Sequence, residues 1–308
     1  MNETFEVIII GAGPAGLSAS IYTGRGRLKT LVLEKGMPGG QILTSDWIEN
    51  YPGFPKGISP FQLMDEFRKQ AEHFGAVIRT DEVKSIKKQN NLWLLSGYQE
   101  TNLTRAVIIA TGSYYRKLGV EGENELTGRG VSYCATCDAA FFKDKEIAVV
   151  GGGNNALTEA IFLAKFGKSI KIIHRRDELR GEKILQERIM SHDRIDVIWD
   201  SVVTKINGKD KLEDVILRNV KDDSTHELKV DGLFISIGTS PNSEFLNDLV
   251  ELDKLGFIKV DDRMRTDQEG IFAAGDVSNA CPKQVATASG SGVNAAISVS
   301  EYIQNLDL

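Results

Sequence analysis

The stretch "VSYCATCDAAF", residues 131–141, carries Cys134 and Cys137 in a C-x-x-C spacing with Asp138 directly behind them. Two thiols so placed can grip a metal ion, close a permanent bridge, or cycle between dithiol and disulfide. A zinc-type centre needs about four ligands. The chain offers one such cysteine pair, and its four histidines (73, 174, 192 and 226) lack the H-x₃₋₅-H spacing. A bridge between near neighbours closes a tiny loop and gains little chain entropy. The tetrapeptide alone leaves all three uses open; the elements around it must decide.

Those elements include a pattern that occurs twice. Val7 to Ile10 is a continuous apolar run, as expected of a parallel strand buried on both faces. It leads into Gly11-Ala12-Gly13-Pro14-Ala15-Gly16, then a helix of small residues from Leu17 to about Thr23, then a strand ending on Glu34, 23 residues beyond Gly11. The glycines permit a tight turn and close approach to a pyrophosphate, while the acid suits a ribose hydroxyl pair. The second copy runs from Ile147 to Val150 into Gly151-Gly152-Gly153-Asn154-Asn155-Ala156. A helix predicted to close on Gly167 follows, and then a strand that ends on His174, again 23 residues beyond the first glycine. Two fingerprints at one spacing predict two dinucleotide sites. In the second copy His174, Arg175 and Arg176, with Arg180, replace the acid. A cationic cluster there selects a 2′-phosphate, so the second nucleotide is expected to be NADPH and the first FAD or NAD.

The fold class is α/β, with two Rossmann-like dinucleotide-binding domains, the second inserted in the first. "AVIIATGS" (106–113) and "GLFISIGTSPN" (232–242) close the two units. These signatures place the second domain at 114–242, carrying the C-x-x-C, and the first at 1–113 and 243–308. Such a double crossing is expected to act as a hinge. Ser59-Pro60 starts a helix with a Leu63, Phe67, Ala71, Phe74 stripe, read as core; strand-like segments near 77–78, 92–95 and 106–109 are expected to form a small antiparallel layer. Trp93 and Trp199 are read as packing residues. The chain has 308 residues, 41% hydrophobic and 26% charged, with net charge −6, an ordinary balance that gives no basis for nucleic-acid or anionic-membrane binding. No apolar run approaches the length of a spanning helix, and the N-terminus reads as a strand rather than a signal segment. Three cysteines point to a reducing cytoplasm, where a lone C-x-x-C is catalytic or metal-binding more often than structural. A dithiol in a chain with a flavin site and a nicotinamide site completes an electron path.

The fingerprints, "GGQ" (39–41), "ENYPGF" (49–54), "CATCD" (134–138), "HRRDELR" (174–180) and "GIFAAGDV" (270–277) together resemble the low-molecular-weight thioredoxin reductases over nearly the whole chain. The resemblance implies an NADPH-dependent homodimer passing electrons through FAD and a Cys134–Cys137 redox disulfide to thioredoxin or a thioredoxin-like protein, with rotation of the inserted domain. It makes Cys137 the thiol that faces the flavin, Cys134 the interchange thiol and Asp138 the acid/base. To the FAD contacts of the first fingerprint it adds Lys35, Gly39, Gly40 and Gln41 in the adenosine-side loop. Asn50, Ala110, Thr111, Gly112, Gly275, Asp276, Val277, Lys283, Gln284 and Val285 complete the FAD set. To the second site it adds Ile237 and Gly238.

Four positions depart from the family pattern. Lys283 stands for arginine, Ala139 for glycine, Ser291 for a residue that is often acidic, and Thr158 for a second glutamate. Cys281 has no assigned role. Two other readings share the fold: a reductase with another donor (NADH, ferredoxin) or acceptor, and a flavin-binding redox sensor without turnover. The second fingerprint argues against a sensor, which needs no hydride donor.

Overall fold

The computed structural model describes residues 3–45, 47–280 and 282–306, so Cys281 lies outside the described residues. Strand β1 (Thr4–Ile10), helix α1 (Pro14–Arg25) and strand β2 (Thr30–Glu34) realise the first glycine pattern. Val7 and Ile9 enter one apolar cluster, Ile8 and Ile10 another, so β1 is buried on both faces. Helix α2 (Pro60–His73) has Pro60 in its first turn and Ser59 at the N-cap position, although the Ser59 hydroxyl makes no capping bond. Its Leu63, Phe67 and Ala71 pack on the first cluster together with Phe74.

Strands β3 (Val77–Thr80), β4 (Val83–Gln89), β5 (Leu92–Gly97) and β6 (Thr101–Ile109) extend the sheet in the order β3-β2-β1-β6-β5-β4. Here the expected antiparallel layer needs correction. Val77–Thr80 is a parallel neighbour of β2, and the Ala106–Ile109 run is the centre of the parallel sheet beside β1. Only β4, β5 and the first half of β6 pair antiparallel. The reason is burial: Ala106, Val107, Ile108 and Ile109 are fully enclosed from both sides, which an edge layer does not provide.

The chain then leaves through β7 (Ser113–Tyr115), a short helix α3 (Glu123–Leu126), β8 (Val131–Ser132) and the single turn α4 (Ala135–Asp138). The second glycine pattern follows as β9 (Glu146–Val150), α5 (Asn154–Leu163) and β10 (Ser169–Ile173), continued by α6 (Lys183–Met190) and β11 (Ile195–Ile198). After β12 (Ser201–Gly208), β13 (Leu212–Asn219) and β14 (Thr225–Lys229), which form their own sheet, β15 (Gly232–Ile235) completes a parallel sheet ordered β11-β10-β9-β15-β8. Helix α5 stops at Leu163, short of Gly167, and Gly167 does not take the left-handed conformation of a C′ residue. Its glycine is required by space, since a Cβ there would stand 2.7 Å from the Ile147 side chain.

Strand β16 (Thr239–Pro241) pairs with β7; β17 (Ile271–Ala273) then joins β6, and α7 (Val285–Leu306) runs beside α1. Their backbones meet at Gly292, where a Cβ would lie 2.1 Å from the Ala15 carbonyl oxygen. The chain divides into two compact units, Met1–Tyr114 with Ser240–Leu308, and Tyr115–Thr239. The return crossing thus comes before the expected 242/243. Asn242 belongs to the first unit because its amide and backbone carbonyl both bond Thr111.

Candidate active site

In the second unit Cys134 and Cys137 form a disulfide with 5.3 Å between their Cα atoms. The Cys134 carbonyl accepts the Cys137 and Asp138 backbone N–H groups, at 3.2 and 3.1 Å, which folds the two thiols into one turn. Ala135 and Ala139 anchor the turn in the apolar cluster of this unit. Ala139 is a right-handed residue, almost fully buried, so the position needs no glycine and its methyl group adds packing. Both cysteines and Asp138 stay partly exposed. Ser132, which the sequence reading missed, donates its hydroxyl to Asp138 Oδ2 at 2.6 Å and accepts the Cys134 backbone N–H at 3.1 Å. Tyr133 stacks on Tyr115 and donates to Glu123, whose buried carboxylate also takes the Leu118 and Gly119 N–H groups. Burial and the Glu123 carboxylate push the Tyr133 phenol up, keeping it a donor.

The second glycine turn, residues 151–156, opens α5. Arg175, Arg176 and Arg180 are exposed beside it, and among the described residues none of the three is in an ion pair. The Arg180 and Gly181 N–H groups donate to the Gly152 carbonyl, and the Asn154 side chain bonds Glu182 through both its oxygen and its amide. The arginine loop is therefore hung from the glycine turn. His174, expected among the cations, is placed differently. Its imidazole is 4% exposed, bonded to the Glu178 carbonyl and edge-on to Trp199; burial holds its pKa down and favours the neutral ring. A Cβ on Gly152 would meet that ring at 2.3 Å. The middle glycine of "GGG" is the signal that a bulky group sits there, and the His174 ring lies buried under the turn. Ala156 is fully buried, Asn155 exposed, Ile237 partly buried and Gly238 exposed.

Glu159 on α5 is partly buried; burial raises its pKa to about 7, with Ser236 acting the other way. Its neighbour Thr158, the departure from the family pattern, is exposed.

In the first unit Gly11 takes φ +104°, and a Cβ there would lie 2.4 Å from the Ala110 carbonyl oxygen. The Glu34 carboxylate accepts from Ala12 N–H at 2.7 Å and Gly36 N–H at 3.0 Å. It therefore braces the turn as well as lining a cavity of about 250 Å³ with Gly11, Lys35, Thr111 and Phe245. Gly39 donates to the Ala12 carbonyl, and Gly40 packs on Gly13, so the 39–41 loop lies against the turn. Asn50 donates to the Gln284 side chain at 3.1 Å. Lys283 donates to the Asp276 carbonyl and places its ammonium 3.9 Å from the Phe257 ring centre, a contact that does not need arginine's fork. Ser291 accepts the Gly275 N–H and donates to the Ala288 carbonyl. At 291 the structure thus uses a hydroxyl that both accepts and donates. Val277, Ala15 and Ala110 are buried, and Val285 begins α7.

Two features test whether dinucleotides fit. A Cβ at Gly13 would meet nothing nearer than 3.9 Å, and one at Gly153 nothing within 4 Å; neither residue has a positive φ. The protein's own packing does not require these glycines, whereas close approach of a pyrophosphate does. Asp276 Oδ1 is buried without a hydrogen-bond partner, and burial pushes this carboxyl up. Sugar-chain hydroxyls of a flavin nucleotide would supply the missing donor. Among the described residues no group of three or more His, Cys, Asp or Glu side chains is placed to hold a metal, and no helix is long and apolar enough to cross a membrane.

Residues 5–292 match the model of the pyridine nucleotide-disulphide oxidoreductase family. A thioredoxin reductase of Streptomyces coelicolor is 44% identical, with 99% of this chain and 96% of that protein covered. One of Bacillus subtilis is 43% identical over the same shares. The crystal structure of thioredoxin reductase from Streptococcus pyogenes superposes with a TM-score of 0.94 at 42% identity, covering 99% of this chain and 100% of that one.

Proposed function

Since this chain belongs to the thioredoxin reductases of the pyridine nucleotide-disulphide oxidoreductase family, we propose that it reduces thioredoxin or a thioredoxin-like protein through Cys134 and Cys137. It is a flavoprotein disulfide oxidoreductase that uses FAD and NADPH. The observation that carries the reading is the Cys134–Cys137 disulfide, with Asp138 beside it, in a chain that holds two open glycine turns. Bound in the first unit, FAD would supply the hydride-accepting and electron-pair-donating chemistry that links NADPH to the disulfide; the protein's own groups do the rest.

On the first unit Gly13 and the 39–41 loop would hold the pyrophosphate, Glu34 and Lys35 the adenosine side, and Asp276 the sugar chain. On the second, Gly153 would face the pyrophosphate while Arg175, Arg176 and Arg180 pair with the 2′-phosphate. In the reduced form the Cys134 thiolate attacks one sulfur of the partner disulfide. The partner S–S bond breaks, a mixed S–S bond forms, and the expelled partner thiolate takes up a proton. Cys137 thiolate then attacks the Cys134 sulfur, the mixed bond breaks, and the second partner thiolate is protonated. Two electrons and two protons leave with the partner. Asp138, directly after Cys137 in the turn, is the group that accepts and returns those protons at its carboxylate.

The family likeness supports a homodimer, and the three cysteines of the chain support a reducing cytoplasm. The direct test is NADPH oxidation coupled to reduction of a thioredoxin. Turnover with wild type and its loss in Cys134→Ser support the reading; full coupled turnover in that variant refutes it.

A further inference from the structure

The Ser132 hydroxyl lies between the two working parts of the thiol turn. This serine is 5% exposed, on the last residue of β8, and its Oγ has two partners. It donates to Asp138 Oδ2 at 2.6 Å and accepts the Cys134 N–H at 3.1 Å. One hydroxyl has one proton to give. Because that proton goes to Asp138, the lone pairs face Cys134, and both bonds orient each other. That bond holds the Asp138 carboxylate in one orientation at the thiol turn. The backbone bond fixes where Cys134 begins the turn. The bond to Asp138 belongs to side chains six residues apart, and the turn's own Cys134 carbonyl bonds would persist without it.

The geometry points to Ser132 as a positioning residue for the dithiol half-reaction, setting Asp138 and Cys134 in register through a single hydroxyl. The inference rests on the reading of the chain as a thioredoxin reductase. It assigns Ser132 no contact with either cofactor or with the partner.

The test compares Ser132→Ala, Ser132→Thr and Asp138→Asn, each loaded with FAD, for NADPH-dependent reduction of thioredoxin. Each rate is divided by the same preparation's turnover with ferricyanide, an artificial acceptor that takes electrons from the flavin without the thiols. In Ser132→Ala the normalised kcat is expected to fall on the order of tenfold, as loss of one charge-assisted bond would give, with KM for thioredoxin within about twofold of wild type. Ser132→Thr keeps the hydroxyl and should recover most of the loss. Adding Ser132→Ala to Asp138→Asn should cost much less than it costs alone, because the two side chains act as one unit. Wild-type normalised kcat in Ser132→Ala, or a full additive loss in the double variant, would overturn the inference. If Ser132→Ala does not fold, Ser132→Val, which matches threonine in shape but lacks the hydroxyl, carries the same comparison against Ser132→Thr, alone and with Asp138→Asn. Failure of wild type itself to reduce thioredoxin would instead strike at the functional reading.

Discussion

Exchange at Cys134 and Cys137 needs both sulfurs, since the thiol that attacks cannot also resolve the mixed disulfide it creates. Cys137→Ser is therefore expected to trap a mixed disulfide with thioredoxin and to show no sustained coupled turnover, which non-reducing electrophoresis and an NADPH oxidation assay would read together. The arginines beside the second glycine turn make a different demand. Arg175→Ala/Arg176→Ala should raise the KM for NADPH roughly tenfold or more, given about 1–3 kcal/mol lost with the pair, and leave the KM for NADH nearly unchanged. An unaltered preference between the two donors would remove both arginines from phosphate recognition. Glu159 supplies a pH test. Burial raises its carboxyl from the ordinary 4.5 to about 7, so the folded state binds the proton more tightly than the unfolded chain. The sign follows: no penalty exists below about pH 4.5, a penalty builds as pH rises, and it is complete above about pH 7. Glu159→Gln should match or trail wild type at pH 4 and exceed it at pH 8 by up to about 3 kcal/mol, as measured by urea denaturation. Equal stabilities at pH 8 would contradict the burial argument.

At the scale of elements, the glycine turns separate residues required by the fold from those required by a ligand. A Cβ at Gly16 would stand 1.9 Å from the Gly11 carbonyl oxygen, so Gly16→Ala forces α1 off β1 and should leave little folded protein. Gly13→Ala meets no such clash and should fold with an unchanged circular dichroism spectrum while losing most of its FAD. If Gly13→Ala retains FAD as wild type does, the open face at Gly13 has been misassigned. The turn-bracing network at Glu123 is an element-scale contact of another kind. Tyr133→Phe removes one of three donors from a buried carboxylate, at an expected cost of about 1–3 kcal/mol.

These contrasts also explain what could be read from the chain alone. Both glycine patterns were legible because a turn, its helix and its returning strand are local, and each lies within some two dozen residues of sequence. The Cys134–Cys137–Asp138 turn was legible for the same reason. The antiparallel layer was misplaced because a short apolar run does not reveal which strands it will pair with. Only full burial of Ala106–Ile109 marks the run as central. The burial of His174 was not legible because it stands in line with two arginines, although Gly152 signals a bulky ring there. Asn242 was assigned to the wrong side of the crossing because its partner, Thr111, is 131 residues away. Ser132 and Glu159 carry ordinary side chains whose importance comes from Asp138 in one case and from burial in the other.

For the whole molecule the account requires that electrons entering from NADPH reach the Cys134–Cys137 disulfide through FAD held by the same chain. Anaerobic titration of the purified flavoprotein with NADPH, followed by thiol counting under denaturing conditions, tests this most directly. The account predicts that the flavin absorbance bleaches and that two new thiols appear per chain, whereas Cys134→Ser/Cys137→Ser bleaches without gaining thiols. Bleaching without new thiols in wild type, or a protein that takes up no flavin at all, would contradict it.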